Sequence, residues 1–553
     1  MEQMNCIKFF IGCLLFHSMS FSATGQAQTS TLSDSLREID KLFDKTNTGT
    51  PGGVLSISRN GQILYQKAYG MADLEHNVVN TTETIFEAGS VSKQFTAASI
   101  LLLVKEGKIG LTDDIRKYFP DFPDYGYTIT VEHLLHHTSG LRDWGSIAAI
   151  GGWPRGTRKY TTAHVKEIIW RQKQLNFTPG EEYSYSNSNF NMLMLLVEKV
   201  SGESLQQFTR EHLFLPIGMS HTQWRDNYNR VVPGRAIAYA REKDSYEQNM
   251  PFENTFGHGA LLTTAGDLEK WNQRWSNNAL GVDINTLQRS KTKLNNGTPI
   301  TYACGVVVDS INGFESISHT GATAGYRALL AFYPQKKLSV VFLSNDAGAE
   351  IGLVNTTIAD LFLGKPAAKM SSENVQGVVV PKERLNGLTG IYQHARQPDV
   401  QEFDVRDDSL IFKTWGVALT PVSENKFVRD GTVVEFPAGI DKPAYVFIKW
   451  TGGDTATWYR VKKVEAGRRT KSDFTGNYHS DEADVTVTIT VKDAKLQLFM
   501  HPDTYLALDE RFEDGFFDEN ESFYRFVRNS KGNVTGFKMT VSRVRNLLFK
   551  KMN

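Results

Sequence analysis

The sequence predicts an α+β catalytic unit followed by an all-β tail, and three observations carry that prediction. Strand patterns bracket a helical middle, a proline- and serine-rich break begins near residue 366, and beyond the break helical periodicity gives way to alternation. The 553 residues exceed one ordinary core and imply two to four folding units, taking roughly 150 residues for each.

The first strand signal is a hairpin over residues 54–69, with Asn60-Gly61 supplying the tight turn. A long apolar helix is predicted from Val91 through Val104, stopped at Gly107, which puts Ser90 at a helix N-terminus. Residues 110–290 read as helices, such as 191–201 and 265–275, joined by polar loops. Strands return at 302–308, 326–333 and 338–343, before a helix at 350–363. Sheet, helices, sheet and helix in that order let the outer segments share one antiparallel sheet, with the helical middle on one side.

Residues 366–383 have the composition of a linker. The tail beyond it looks duplicated. Leu388-Thr389-Gly390-Ile391-Tyr392 corresponds to Phe474-Thr475-Gly476-Asn477-Tyr478, and Leu410 and Leu496 follow at the same offset. Two small antiparallel barrel-like units are expected, over 384–466 and 471–553. The N-terminal run Phe9–Phe16, followed by small and polar residues, reads as a signal peptide over 1–25, so the catalytic unit spans 28–365. Export to the periplasm or medium is expected, and lipidation at Cys13 is disfavoured because the preceding apolar stretch is too short. No other segment supplies the about 18 consecutive apolar residues of a membrane span.

Lys plus Arg total 61 and Asp plus Glu total 61, with no long run of one sign, so nucleic acid is not an expected partner. Signal removal leaves Cys304 as the only cysteine, which excludes an internal disulfide. The 13 histidines show no zinc spacing, and no metal or other cofactor is expected.

Three patterns carry the chemistry: Ser90-x-x-Lys93, Tyr185-x-Asn187 and His319-Thr320-Gly321. About two Ser-x-x-Lys matches arise by chance at this length and composition. The other two matches, Ser290/Lys293 and Ser423/Lys426, lack the later patterns downstream. Residues three apart on a helix share a face, so Lys93 can reach Ser90. At its ordinary pKa of about 10.4 a lysine is almost never neutral at pH 7, so a basic role requires burial or nearby positive charge. The Tyr185 phenol suits proton relay, Asn187 suits a substrate amide, and Gly321 permits close backbone approach. His319 is mostly neutral at pH 7 and holds a carboxylate less firmly than lysine does.

Together with Phe86–Lys93, the run Leu134–Leu141 and Pro216–Met219, these motifs resemble the serine β-lactamase and penicillin-binding-protein superfamily over residues 35–365. The branch is that of class C β-lactamases, D-aminopeptidases and related esterases. The resemblance implies a β-lactamase/transpeptidase-like domain, Ser90 as acylated nucleophile, and Lys93 and Tyr185 as a shared proton-transfer pair with the base unassigned. It also implies Asn187 as substrate partner, with an oxyanion hole at the N–H groups of Ser90 and Ala322. Histidine at 319, where β-lactamases usually carry lysine, favours D-amino-acid peptides or small esters as substrates, cell-wall fragments among them. Arg327 is the candidate substitute for the missing charge. A β-lactamase or D,D-carboxypeptidase is the enzymatic alternative, and an inert cell-wall-fragment sensor is the non-enzymatic one. The tail is expected either to narrow the cleft with a loop or to act as an appendage.

Overall fold

The computed structural model describes residues 32–364, 377–413, 416–450, 455–464, 470–500 and 502–552. The expected signal peptide and most of the expected linker lie outside these residues.

The predicted hairpin is present, with strands Gly53–Arg59 and Gln62–Tyr69 joined through Asn60 and Gly61, both at positive φ. It joins Val307–Ile311, Phe314–Thr323, Tyr326–Tyr333 and Leu338–Ser344 in one six-stranded antiparallel sheet. Both faces of this sheet are covered. Along strand 326–333, Tyr326, Ala328 and Leu330 join Phe95 and Trp271 in the main core. Leu329, Ala331 and Tyr333 pack instead with Val354 and Ile358 of the helix Ile351–Leu363. Double burial explains why the strand reads as a continuous apolar run rather than an alternation.

Two predicted boundaries move. Residues 302–306 are a tight turn, with Ala303 N–H donating to Val306 O and Gly305 at φ +73°, so the strand starts only at Val307. The nucleophile helix starts at Lys93, preceded by a 3₁₀ turn over Gly89–Ser92.

The tail forms two β units built alike. Each opens with a short helix, Lys382–Leu388 or Lys471–Phe474, so the last two residues of the predicted linker are already helical. A glycine then starts the first strand. Its tyrosine is fully buried and donates back to the helix end, Tyr392 to Leu388 O at 3.0 Å and Tyr478 to Phe474 O at 2.7 Å. The second unit, eight strands from Gly476 to Lys551, is a closed barrel. The first is a nine-stranded sheet whose edge strands, Val417–Ala418 and Thr420–Pro421, flank a single residue in the chain. It therefore curls nearly shut without edge-to-edge pairing.

The closed barrel docks directly on the catalytic unit, and one hydrophobic cluster runs through both. At the seam Arg142, with no exposed side-chain surface, pairs with Glu482 at 2.5 Å. The Glu482 carboxylate also accepts from Lys173 N–H at 2.7 Å, and its backbone oxygen from Arg171 and Gln172. Glu482→Ala strands a buried guanidinium, at an expected cost of about 3 to 5 kcal/mol. A lowered urea midpoint of the full chain measures it, and an unchanged midpoint would show that this seam contributes nothing to stability.

Candidate active site

Ser90 sits in the 3₁₀ turn, pressed against the strand that carries His319, Thr320 and Gly321. The contact is backbone on backbone. A Cβ on Gly321 would come within 2.1 Å of Ala88 O, and one on Gly89, already at φ +51°, within 2.7 Å of Ala322 N. Glycine at both positions lets the two segments close up, which brings Ser90 and Ala322 to one opening. That opening is a pocket of about 290 Å³, lined by Ser90, Tyr185, Asn187, His319, Thr320, Gly321 and Ala322 among others. All the sequence-predicted site residues but Lys93 line it, and Lys93 lies beneath, completely buried.

Lys93 Nζ has three polar neighbours: Ser90 Oγ at 3.2 Å, Asn187 Oδ1 at 2.9 Å and the backbone oxygen of His258 at 2.5 Å. Two of these are carbonyl oxygens that can only accept; the third is a hydroxyl that can accept or donate. Once the amine is neutral, it can give two N–H groups to the carbonyls and turn its lone pair to the Ser90 O–H. Burial is the main reason the Lys93 pKa falls well below its ordinary value, helped by the positive charges of Arg155 and Arg543 and opposed by Asp143.

Tyr185 is pushed the other way. Burial holds its pKa above the ordinary phenol value, against smaller effects of the Ser90 hydroxyl and Arg543. Its oxygen is buried without a well-formed hydrogen bond among the described residues, while its ring lies 4.8 Å from Lys93 Nζ. Tyr185 is therefore a neutral phenol in the resting site.

His319 is fixed by two contacts. Nδ1–H donates to Thr320 O at 2.6 Å, which leaves Nε2 to accept from Tyr302 Oη at 3.0 Å. Burial, with Lys93 adding to it, lowers its pKa to about 4, so the ring is neutral at physiological pH. Arg327 does not supply the missing charge: its guanidinium donates to Ala324 O and Tyr326 O, and it does not line the pocket.

The sequence reading did not anticipate four contributors. Asp143 caps the helix Trp144–Ile150 and accepts from Asn187 N–H at 2.7 Å, which sets the start of the helix Asn187–Ser201. His137 packs its buried ring 4.3 Å from that of Tyr185. Among the described residues, Arg155 and Arg543 are the only charged side chains lining the pocket. Arg155 belongs to a loop with no motif, and Arg543 lies on the far barrel, so no local pattern announces either. The two decoy pairs are elsewhere: Ser290 donates to Thr286 O on an exposed helix end, and Ser423 lies in the first β unit.

Fold and site together define a serine hydrolase of the β-lactamase and penicillin-binding-protein superfamily. The Beta-lactamase family profile matches residues 39–361, and the chain belongs to that family. A penicillin-binding protein of Bacillus subtilis is 30% identical over 312 residues, 53% of this chain and 68% of that one. A D-aminopeptidase of Brucella canis is 28% identical over 335 residues, 58% of this chain but only 61% of that protein. The solved penicillin-binding protein homologue from Pyrococcus abyssi superposes with a TM-score of 0.54, over 86% of this chain and 99% of that one, at 20% identity.

The neutrality of Lys93 has a measurable signature. The unfolded chain protonates this lysine up to about pH 10.4 and the folded chain does not, so unfolding takes up a proton below that pH. Relative to Lys93→Met, wild-type stability therefore rises with pH toward 10.4, by up to about 1.4 kcal/mol per unit, and declines as pH falls. Urea midpoints of both proteins across the neutral and alkaline range test this. Parallel curves would mean that Lys93 is charged in the folded protein.

Proposed function

We propose that this protein is an exported serine hydrolase that forms an acyl-enzyme at Ser90 with amides or esters of D-amino acids. The observation that carries the chemistry is the contact of the buried Lys93 Nζ with Ser90 Oγ at 3.2 Å, in surroundings that disfavour the charged form of the amine. In acylation the Ser90 Oγ–H proton passes to Lys93 Nζ as the Oγ–C bond forms. The carbonyl oxygen gathers negative charge at the N–H groups of Ser90 and Ala322, each such donor contributing about 2.7 to 4 kcal/mol in comparable sites. The C–N or C–O bond then breaks, and the Tyr185 phenol delivers a proton to the departing group, recovering one from Lys93. Water repeats the sequence in reverse: it loses a proton to the same pair, attacks the acyl carbon and restores the Ser90 hydroxyl.

The D-amino-acid preference rests on the likeness to the D-aminopeptidase. Periplasmic or secreted location rests on the apolar run Phe9–Phe16. The B. subtilis relative supports a second reading, that of a penicillin-binding enzyme.

Intact-mass spectrometry with a fluorophosphonate separates enzyme from inert sensor. Wild type is expected to gain one adduct, and Ser90→Ala none, with ester turnover reduced at least about a thousandfold. Absence of a Ser90-dependent adduct would overturn the hydrolase reading, while a long-lived adduct with a penicillin would favour the second one.

A further inference from the structure

The pocket above Ser90 has a charge pattern that the motifs do not foretell. Its lining holds two arginines, Arg155 and Arg543, and no carboxylate. A substrate ammonium beside the scissile bond would find no counter-ion there and two cations facing it.

The arginines differ in what they have left to offer. Arg155 is already paired with a carboxylate, with Nε and a terminal nitrogen on the two oxygens of Glu253 at 2.6 and 2.8 Å. Arg543 is not. Its side chain is 41% exposed and its guanidinium lies 5.1 Å from the centre of the Tyr185 ring. Its one ionic neighbour, Asp143, is at 4.0 Å. The Asp143 carboxylate is itself occupied, accepting from Asn187 N–H at 2.7 Å and Ser146 N–H at 3.0 Å. A fork of guanidinium donors thus faces the catalytic pocket with no carboxylate seated on it.

Arg543 is also held in place. It occupies the two-residue turn between barrel strands Val534–Val541 and Val544–Lys551. Asn176 of the catalytic unit clamps this turn from both sides, donating from Nδ2 to Arg543 O at 3.0 Å and accepting Arg545 N–H at 2.8 Å. Asp143 N–H donates to the same Arg543 oxygen at 3.3 Å. The next arginine, Arg545, ties the strand to Glu182 at 2.9 Å. The barrel therefore presents a positioned cation to the pocket rather than a loose surface chain.

We infer that Arg543 is the substrate-carboxylate anchor of this enzyme, and that its substrates carry a free carboxylate, not a free amine, on the residue flanking the scissile bond. His319 cannot do this, since its ring is tied to Thr320 O and Tyr302 Oη, and Arg327 is turned onto backbone oxygens. This inference rests on the acyl-enzyme reading and narrows it: the C-terminal barrel completes the specificity site, and acyl-D-aminoacyl acids are favoured over aminopeptidase substrates.

The test uses the full chain and three ester-linked substrates. These are N-acetyl-D-alanyl-D-lactate with a free carboxylate, the same compound capped as the lactamide, and the lactamide with a free D-alanyl amine. Wild type is expected to favour the free acid over the capped ester by at least about tenfold in kcat/KM, with the free amine poorest. Arg543→Ala should bring the acid-to-amide ratio to near one, Arg543→Lys should keep part of the preference, and Arg543→Glu should invert it. Fluorophosphonate labelling of Ser90 in each variant reports whether the nucleophile is still competent. Labelled wild type with equal or reversed preference, or labelled Arg543→Ala with the preference intact, would overturn the carboxylate anchor and leave the hydrolase reading standing. Failure of wild type to label would bring down both.

Discussion

The site depends on keeping one amine uncharged. Lys93 is sealed beneath the pocket among Ser90, Asn187 and a backbone oxygen of the 258 loop, and burial there disfavours the charged form of the amine. Much of the surrounding structure follows from that requirement. The helix from Lys93 is buried on nearly every side, which excludes water from the amine. Arg155 and Arg543 add positive charge that further disfavours protonation. Holding a buried lysine uncharged costs stability, and the shared core of catalytic unit and barrel offsets that cost.

Neutral lysine divides the labour between two groups that sequence alone treats as equivalent. Burial acts on both, but with opposite sign on the proton: it strips the amine and retains the phenol. Lys93 touches the Ser90 hydroxyl and Tyr185 lies with its ring against Lys93 Nζ, the placement that the proposed proton acceptor and donor require. His319 obeys the same rule. Lowered to about 4 and tied at both nitrogens, it serves as a wall and not as a charge.

What could be read from the sequence follows how local each determinant is. The hairpin at Asn60-Gly61, the helix before Gly107 and the fully buried strand 326–333 are written in neighbouring residues, and they fold as expected. Ser90 and Lys93 were legible because one helical turn sets their separation; Tyr185, Asn187 and His319 because each heads its own short pattern. The turn at 303–306 was missed because Cys304-Gly305 interrupts a run whose composition is that of a strand. The near-closure of the first β unit, against full closure of the second, depends on edge pairing that period-two alternation does not encode. Arg543 was illegible for a stronger reason: it acts on Tyr185 from more than 350 positions away, and only docking of the barrel joins them.

That docking changes what the tail is for. A barrel attached solely to add stability needs apolar burial and a few paired charges, and the Arg142–Glu482 seam supplies these. Seating the barrel does not require an arginine at the tip of a turn, inserted between Asp143 and Tyr185 and pinned through its own carbonyl. A long cationic side chain there gives up conformational freedom, and within the chain it gains the face of the Tyr185 ring and an ion pair at the limit of contact. The placement makes physical sense if the compensating partner arrives with the substrate, as an anion bound next to the nucleophile. On this view the seam and the turn are two parts of one device: the buried pair at Glu482 fixes the barrel's position, and that position sets where the guanidinium stands over the pocket.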